Sequence, residues 1–182
     1  MLKKSKTLVM VTLFFGMIGM FGLGAAEMKG EVQVIKKGKY TIHSYMSPEN
    51  SAMVTSQIIE TPKRLLVIDA QFMRPYAKEL ATYIKTLKKP IEKIIITHGH
   101  PEHCFGLEMF KDQKIYALKE TADYIGKYGK LIMKSKQKQM GKLITESVVI
   151  PDQIVEEGKE TIDGLTLHYR KVSDAEDGIQ LM

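Results

Sequence analysis

Three of the five histidines in this 182-residue chain fall within six positions, in the run His98, Gly99, His100, Pro101, Glu102, His103. His98 and His100 are one residue apart, so in an extended or tightly looped backbone their imidazoles can converge on one ion. After Pro101, Glu102 and His103 can turn toward a second point close by. Neutral imidazole and carboxylate suit Zn²⁺, Fe or Mn, and two ions about 3.5 to 4 Å apart would clamp a bridging water and make hydroxide at neutral pH. The plainer reading of the run is a surface loop with satisfied histidines. The single cysteine, Cys104, excludes a disulfide framework within the chain and a cysteine-based zinc cluster, so a metal would have to rest on histidine and carboxylate. Cys104 itself reads as a small buried filler, with a metal ligand or a redox thiol as the rival readings.

The elements that must position this run are legible from hydrophobic periodicity. Residues 31–69 alternate apolar and polar side chains in four short segments around Val32, Tyr40, 53–59 and 65–68, which predicts four strands that are antiparallel neighbours. From Pro75 the period changes: Ala77, Leu80, Ala81, Ile84 and Leu87 recur three or four apart until Pro90, as in an amphipathic helix. Residues 93–97 (KIIIT) then form an apolar strand that runs straight into His98. A strand, helix, strand unit therefore ends in the polar cluster, at a strand's carboxyl end where open sheets place their sites.

Downstream, the pattern predicts a helical turn at 106–110, a strand at 114–117 and a short helix at 120–126. Residues 129–143 hold Lys130, Lys134, Lys136, Lys138 and Lys142 and read as a solvated helical face, with an anion-binding patch as the alternative. Strand character returns at 148–150, 153–155, 160–162 and 165–172, with Gly158 and the Asp163, Gly164 pair as turns. His43 and His168 stand alone in strands and read as surface side chains. Phe72, Met73 and Tyr76 read as core, with a pocket lining as the alternative.

Residues 1–26 have three lysines, an apolar stretch and the small exit Gly24, Ala25, Ala26, the form of a secretory signal peptide cleaved after Ala26. An uncleaved anchor is the rival reading. Residues 27–182 are then one exported domain, periplasmic or secreted, without stable membrane association once cleaved. Setting aside Lys3, Lys4 and Lys6 leaves 24 basic residues against 21 acidic ones, too mild an excess to argue for nucleic acid. A small-molecule substrate is the expected partner. The chain stops at Met182 in an apolar stretch, so part of the fold is expected to be missing.

The run from Thr97 to Gly106 resembles the histidine-rich metal-binding motif of the metallo-β-lactamase superfamily, whose pattern is His, any, His, any, Asp, His. Leu66, Val67, Ile68, Asp69 resembles that family's strand ending in an aspartate, and the turn-rich strands at 158–167 resemble its mid-chain hairpin. The resemblance implies an α/β (α+β) fold, the amino-terminal half of a four-layer αββα sandwich. It also implies a hydrolase, exported if the amino-terminal segment is a signal peptide, in which a metal-activated water attacks an ester, lactone, lactam or related bond. Zn²⁺ is the implied cofactor, as one or two ions, with Fe or Mn as alternatives. Carried over by position, His98 and His100 resemble ligands of a first metal, and Glu102 and His103 ligands of a second. Glu102 also takes the catalytic place of the family's aspartate, which orients the attacking water or accepts its proton, and departs from it by one methylene. Asp69 resembles the residue that holds a ligand imidazole in place. Where the family places a further histidine this chain has Ala175 and Glu176, which resembles the alkylsulfatase-like branch; Glu176 is the implied ligand, Asp174 the next choice, and an exposed loop carboxylate the plain reading. Two rivals remain: a metal-binding remnant without turnover, and a diiron redox member of the same superfamily.

Overall fold

The computed structural model describes residues 30–172 and 180–181. The expected signal peptide, Asp174 and Glu176 lie outside the described residues. Seven strands make one sheet in chain order: β1 (Glu31–Lys37), β2 (Tyr40–Met46), β3 (Thr55–Glu60), β4 (Leu65–Ile68), β5 (Ile91–Ile95), β6 (Ile115–Ala117) and β7 (Gln153–Ile154). β1 to β4 are antiparallel neighbours, as the alternating segments predicted. β4 to β7 run parallel, since helical crossovers return the chain to the same sheet edge. The first crossover is α1 (Arg74–Thr86), opened by Pro75 in its first turn and burying Tyr76, Ala77, Leu80 and Ile84. The second holds the single turn α2 (Pro101–Cys104), followed by a 3₁₀ segment at Phe105–Phe110. The third is α3 (Lys119–Met140).

Alternation along the strands sorts the side chains into two layers. Tyr45, Ile58, Val67, Ile94, Ile96 and Ile115 face the helices and pack with Leu80 and Ile84 of α1 and Ile125 of α3. Phe72, Met73 and Tyr76 belong to this core, which settles them as packing residues. On the opposite face, Ile95, Tyr116, Leu118 and Val155 pack against Leu167 and Tyr169. Those two come from the hairpin β8 (Gly158–Ile162) and β9 (Leu165–Tyr169), closed by Asp163 and Gly164, both at positive φ. The hairpin is pinned to the sheet by Lys93 on Glu160 (2.6 Å) and by Thr61 Oγ1 on Asp163 (2.7 Å). The layers are thus helices, one mixed sheet, and the first strands of a second layer: an α/β arrangement matching the amino-terminal half of the expected sandwich. A short pair, β10 (Lys171–Val172) with β11 (Gln180–Leu181), completes the described elements.

Three expectations are corrected. The short helix at 120–126 and the lysine-rich segment after it are one helix of 22 residues. Gly129, between the two expected segments, is buried, and a Cβ there would stand 2.8 Å from Val148 Cγ1. Its smallness lets the segment after α3 pack closely. Residues 148–150 are not a strand; Val148 and Val149 pack against the core from irregular backbone, a use of apolar side chains that periodicity cannot tell from a strand. His43 is not a surface side chain. It is 5% exposed, with Nδ1 2.7 Å from Tyr83 Oη and Nε2 3.1 Å from Glu60 Oε2. Reading Tyr40 and Ile42 as the inward positions of β2 puts His43 outward. The buried positions are in fact His43 and Tyr45, the other parity. His168 is exposed, as expected.

Candidate metal centre

β4 and β5 lie side by side in parallel, with Ile68 opposite Ile95, so the residues after each emerge together at the carboxyl end of the sheet. Asp69 follows β4 in the left-handed region (φ 60), a conformation that aspartate tolerates better than most residues. Its N–H donates to Ile95 O at 2.9 Å, which ties the turn to the neighbouring strand. Its buried carboxylate then receives three donors. Thr97 N donates to Oδ1 at 2.9 Å, while Thr97 Oγ1 (2.9 Å) and His103 Nδ1 (2.8 Å) donate to Oδ2.

α2 turns the chain back so that His103 can reach Asp69. The two segments are joined along the backbone as well, by Ala70 N on His103 O and Gly106 N on Gln71 O, each 2.8 Å. That contact needs a glycine, because a Cβ at Gly106 would lie 1.8 Å from Ala70 O. Gln71, fully buried, anchors the turn from below through Nε2 to Val54 O and Ser56 Oγ, both 3.0 Å.

This network assigns protons to two imidazoles. Thr97 has one hydroxyl hydrogen and an ionised carboxylate is acceptor only, so the hydrogen goes to Asp69. His98 Nδ1, 3.0 Å from the same hydroxyl, must then be the donor to it. His103 likewise carries its hydrogen on Nδ1, facing Asp69. In the neutral form of both rings the lone pair is then on Nε2, the tautomer a metal ligand needs. His98 is buried and its ring lies 4.2 Å from that of His103 and 4.9 Å from that of His100, centroid to centroid. Glu102 Oε1 stands 3.5 Å from His100 Nδ1. Three imidazoles and one carboxylate are thus gathered on one turn of chain.

Among the described residues, no group of three or more His, Cys, Asp or Glu side chains stands in an arrangement that would itself hold an ion. The cluster fits a metal in donor type and in tautomer, as a gathered set rather than a closed cage. Cys104 is buried and donates to His100 O at 3.2 Å; burial, with Asp69 and Glu102 nearby, pushes its thiol up, which suits a filler and not a thiolate ligand. Sequence reasoning named Asp69 and the three histidines. It missed Thr97, whose part depends on Asp69 arriving from a strand 28 residues earlier. It also missed Tyr124 of α3, whose ring packs so closely on Gly99 that a Cβ there would lie 2.5 Å from it.

A mixed sheet with helices on one face and a histidine cluster at the carboxyl ends of its parallel strands defines a class of metal-site α/β proteins. The sequence model described as the metallo-beta-lactamase superfamily matches residues 52–170, and the chain belongs to that superfamily. Over 84 residues it is 31% identical to a linear primary-alkylsulfatase of Pseudomonas sp. (strain ATCC 19151), a match spanning 41% of this chain and 16% of that protein. Among solved structures it resembles a metallo-beta-lactamase from Pontibacter korlensis (TM-score 0.55, 22% identity, 77% of this chain and 60% of that one). It also resembles native FEZ-1 metallo-beta-lactamase from Legionella gormanii (TM-score 0.57, 17% identity, 79% and 53%). The chain thus spans between half and two thirds of these structures, and a sixth of the alkylsulfatase.

Proposed function

We propose that this chain carries the metal-binding half of an exported metal-dependent hydrolase, with His98, His100 and His103 as imidazole ligands and Glu102 as their carboxylate companion. The observation that supports the reading is the Asp69 network, which leaves the Nε2 lone pairs of His98 and His103 on rings 4.2 Å apart. Zn²⁺ suits this donor set best, as one or two ions, and Fe or Mn are the alternatives. When bound, such an ion supplies Lewis acidity and lowers the pKa of water toward about 7. The chain's own residues do the rest. Asp69 holds His103 directly and His98 through Thr97, so that neither ring has to reorganise. Glu102, partly exposed beside His100, takes up the proton of the attacking water. Glu176 would be a further ligand. The substrate is a small molecule with an ester, lactone, lactam or related bond, and the alkylsulfatase relative adds sulfate esters to that class.

A second reading, a metal-binding remnant without turnover, draws on the fact that the gathered ligands do not by themselves enclose an ion. Assaying the Zn²⁺-loaded chain on p-nitrophenyl acetate and p-nitrophenyl sulfate separates the two. Turnover lost on Glu102→Gln supports the hydrolase, whereas metal uptake without turnover supports the remnant. Export is part of the proposal: intact mass of the protein recovered from the producing cell should begin at Glu27, and recovery of residues 1–26 in a membrane-bound species would favour an anchor.

A further inference from the structure

The outer face of α3 carries a feature that the proposed metal site does not use. The helix buries Thr121, Ala122, Ile125 and Gly129 against the core, and the flank beside that buried face carries Tyr124, Tyr128 and Leu131 at four- and three-residue spacing, one above the other. These are 38%, 38% and 70% exposed, and the two tyrosine rings lie 5.1 Å apart. Beside this apolar row run Lys127, Lys130, Lys134 and Lys138, all exposed. From Tyr124 to Thr145 the sequence has six lysines and no acidic residue. Lys127 Nζ sits 4.8 Å from the centre of the Tyr128 ring, so aromatic and cation form one surface.

We propose that this face docks on an anionic lipid surface. Lysines flanking an apolar and aromatic row on one helix face complement acidic headgroups, while the row itself enters the headgroup region. Nucleic acid would also meet the lysines and stack on tyrosine, but Leu131, the most exposed side chain of the row, gains nothing from a phosphate backbone. The contact is separate from the amino-terminal apolar segment and departs from the expectation, drawn from that segment alone, of no stable membrane association. Because Tyr124 packs on Gly99, docking would hold the histidine loop near the lipid surface.

The chain contains no tryptophan, so Tyr128→Trp in the full chain reports on this face alone. Its emission should shift to the blue on vesicles of phosphatidylcholine with phosphatidylglycerol, and not on phosphatidylcholine alone, at physiological salt. Adding Lys130→Glu, Lys134→Glu and Lys138→Glu should raise the lipid concentration at half-maximal shift by about 10²-fold. The same change in net charge at Lys36, Lys37 and Lys39 should leave it within about threefold. Leu131→Trp is the second probe, and circular dichroism checks that each variant folds. The proposal is overturned if neither probe shifts on anionic vesicles, if the two charge triplets act alike, or if a single-stranded oligonucleotide shifts the probes where vesicles do not.

Discussion

Two carboxylate and imidazole pairs of this fold are chemically alike and are used differently. Asp69 with His103 and Glu60 with His43 make contacts of 2.8 and 3.1 Å. Around Glu60 every partner is accounted for within the fold: Lys89 Nζ neutralises the other carboxylate oxygen at 2.8 Å, and Tyr83 engages the second nitrogen of His43. That imidazole bridges two elements and has no nitrogen left to offer. Around Asp69 the donors among the described residues are Thr97 and His103, with no lysine or arginine, and the carboxylate's effect is to fix which nitrogen of two neighbouring rings carries a hydrogen. The lesson is that a histidine beside a carboxylate can act only as a brace where, as at His43, its second nitrogen is also taken up within the fold.

Changes at the two pairs should separate metal binding from stability. The largest effect is expected from Gly106→Ala, which forces a methyl group into Ala70 O and should cost about 3 kcal/mol, read as a lowered midpoint in urea, with Zn²⁺ uptake falling alongside. Asp69→Asn should lower Zn²⁺ affinity about 10- to 100-fold by calorimetric titration, because it unsettles both tautomers. Glu60→Gln should leave that affinity unchanged. His43→Ala strands Tyr83 and Glu60 and should cost about 2 kcal/mol in urea denaturation without altering Zn²⁺ binding, whereas exposed His168→Ala should stay within about 0.5 kcal/mol.

The smallest effect is a pH dependence. The hydrogen bond from Lys89, helped by His43 and opposed by burial, holds the Glu60 carboxyl below its ordinary value of 4.5. A carboxylate lowered on folding stabilises the native state above its unfolded pKa, and that contribution disappears as pH falls through the lower folded value. Lys89→Met should therefore flatten the loss of thermal stability below pH 4.5 relative to the parent chain. An unchanged acid limb would mean that Glu60 is not set by Lys89.

The sheet, α1 and the placement of the histidine run at a strand end were readable because periodicity and local turn chemistry determine them. Asp163 and Gly164 are such a case, a two-residue turn whose positive φ values their own side chains permit. The extent of α3 was not readable. Gly129 argues for a break on propensity, and its reason for staying helical is a neighbour, Val148, that arrives 19 residues later. His43 was misplaced because the apolar Tyr40 and Ile42 mark the half-buried face of β2, while the fully buried face carries His43 and Tyr45, and the partners that let a polar imidazole be buried there come from Tyr83 of α1 and Glu60 of β3. At the site, Asp69 and the histidines could be named from residue type, while the part of Thr97 exists only once β4 and β5 lie side by side.

The central claim, that Asp69 prepares His98 and His103 as ligands in a cluster completed by His100, is tested most directly by ¹⁵N imidazole spectra during Zn²⁺ titration. The account predicts that the ring nitrogens of His98, His100 and His103 shift together, that His98 and His103 carry their hydrogen on Nδ1 before metal is added, and that His43 and His168 stay still. Absence of any shift in the three clustered rings, or an equal response from His43, would contradict it.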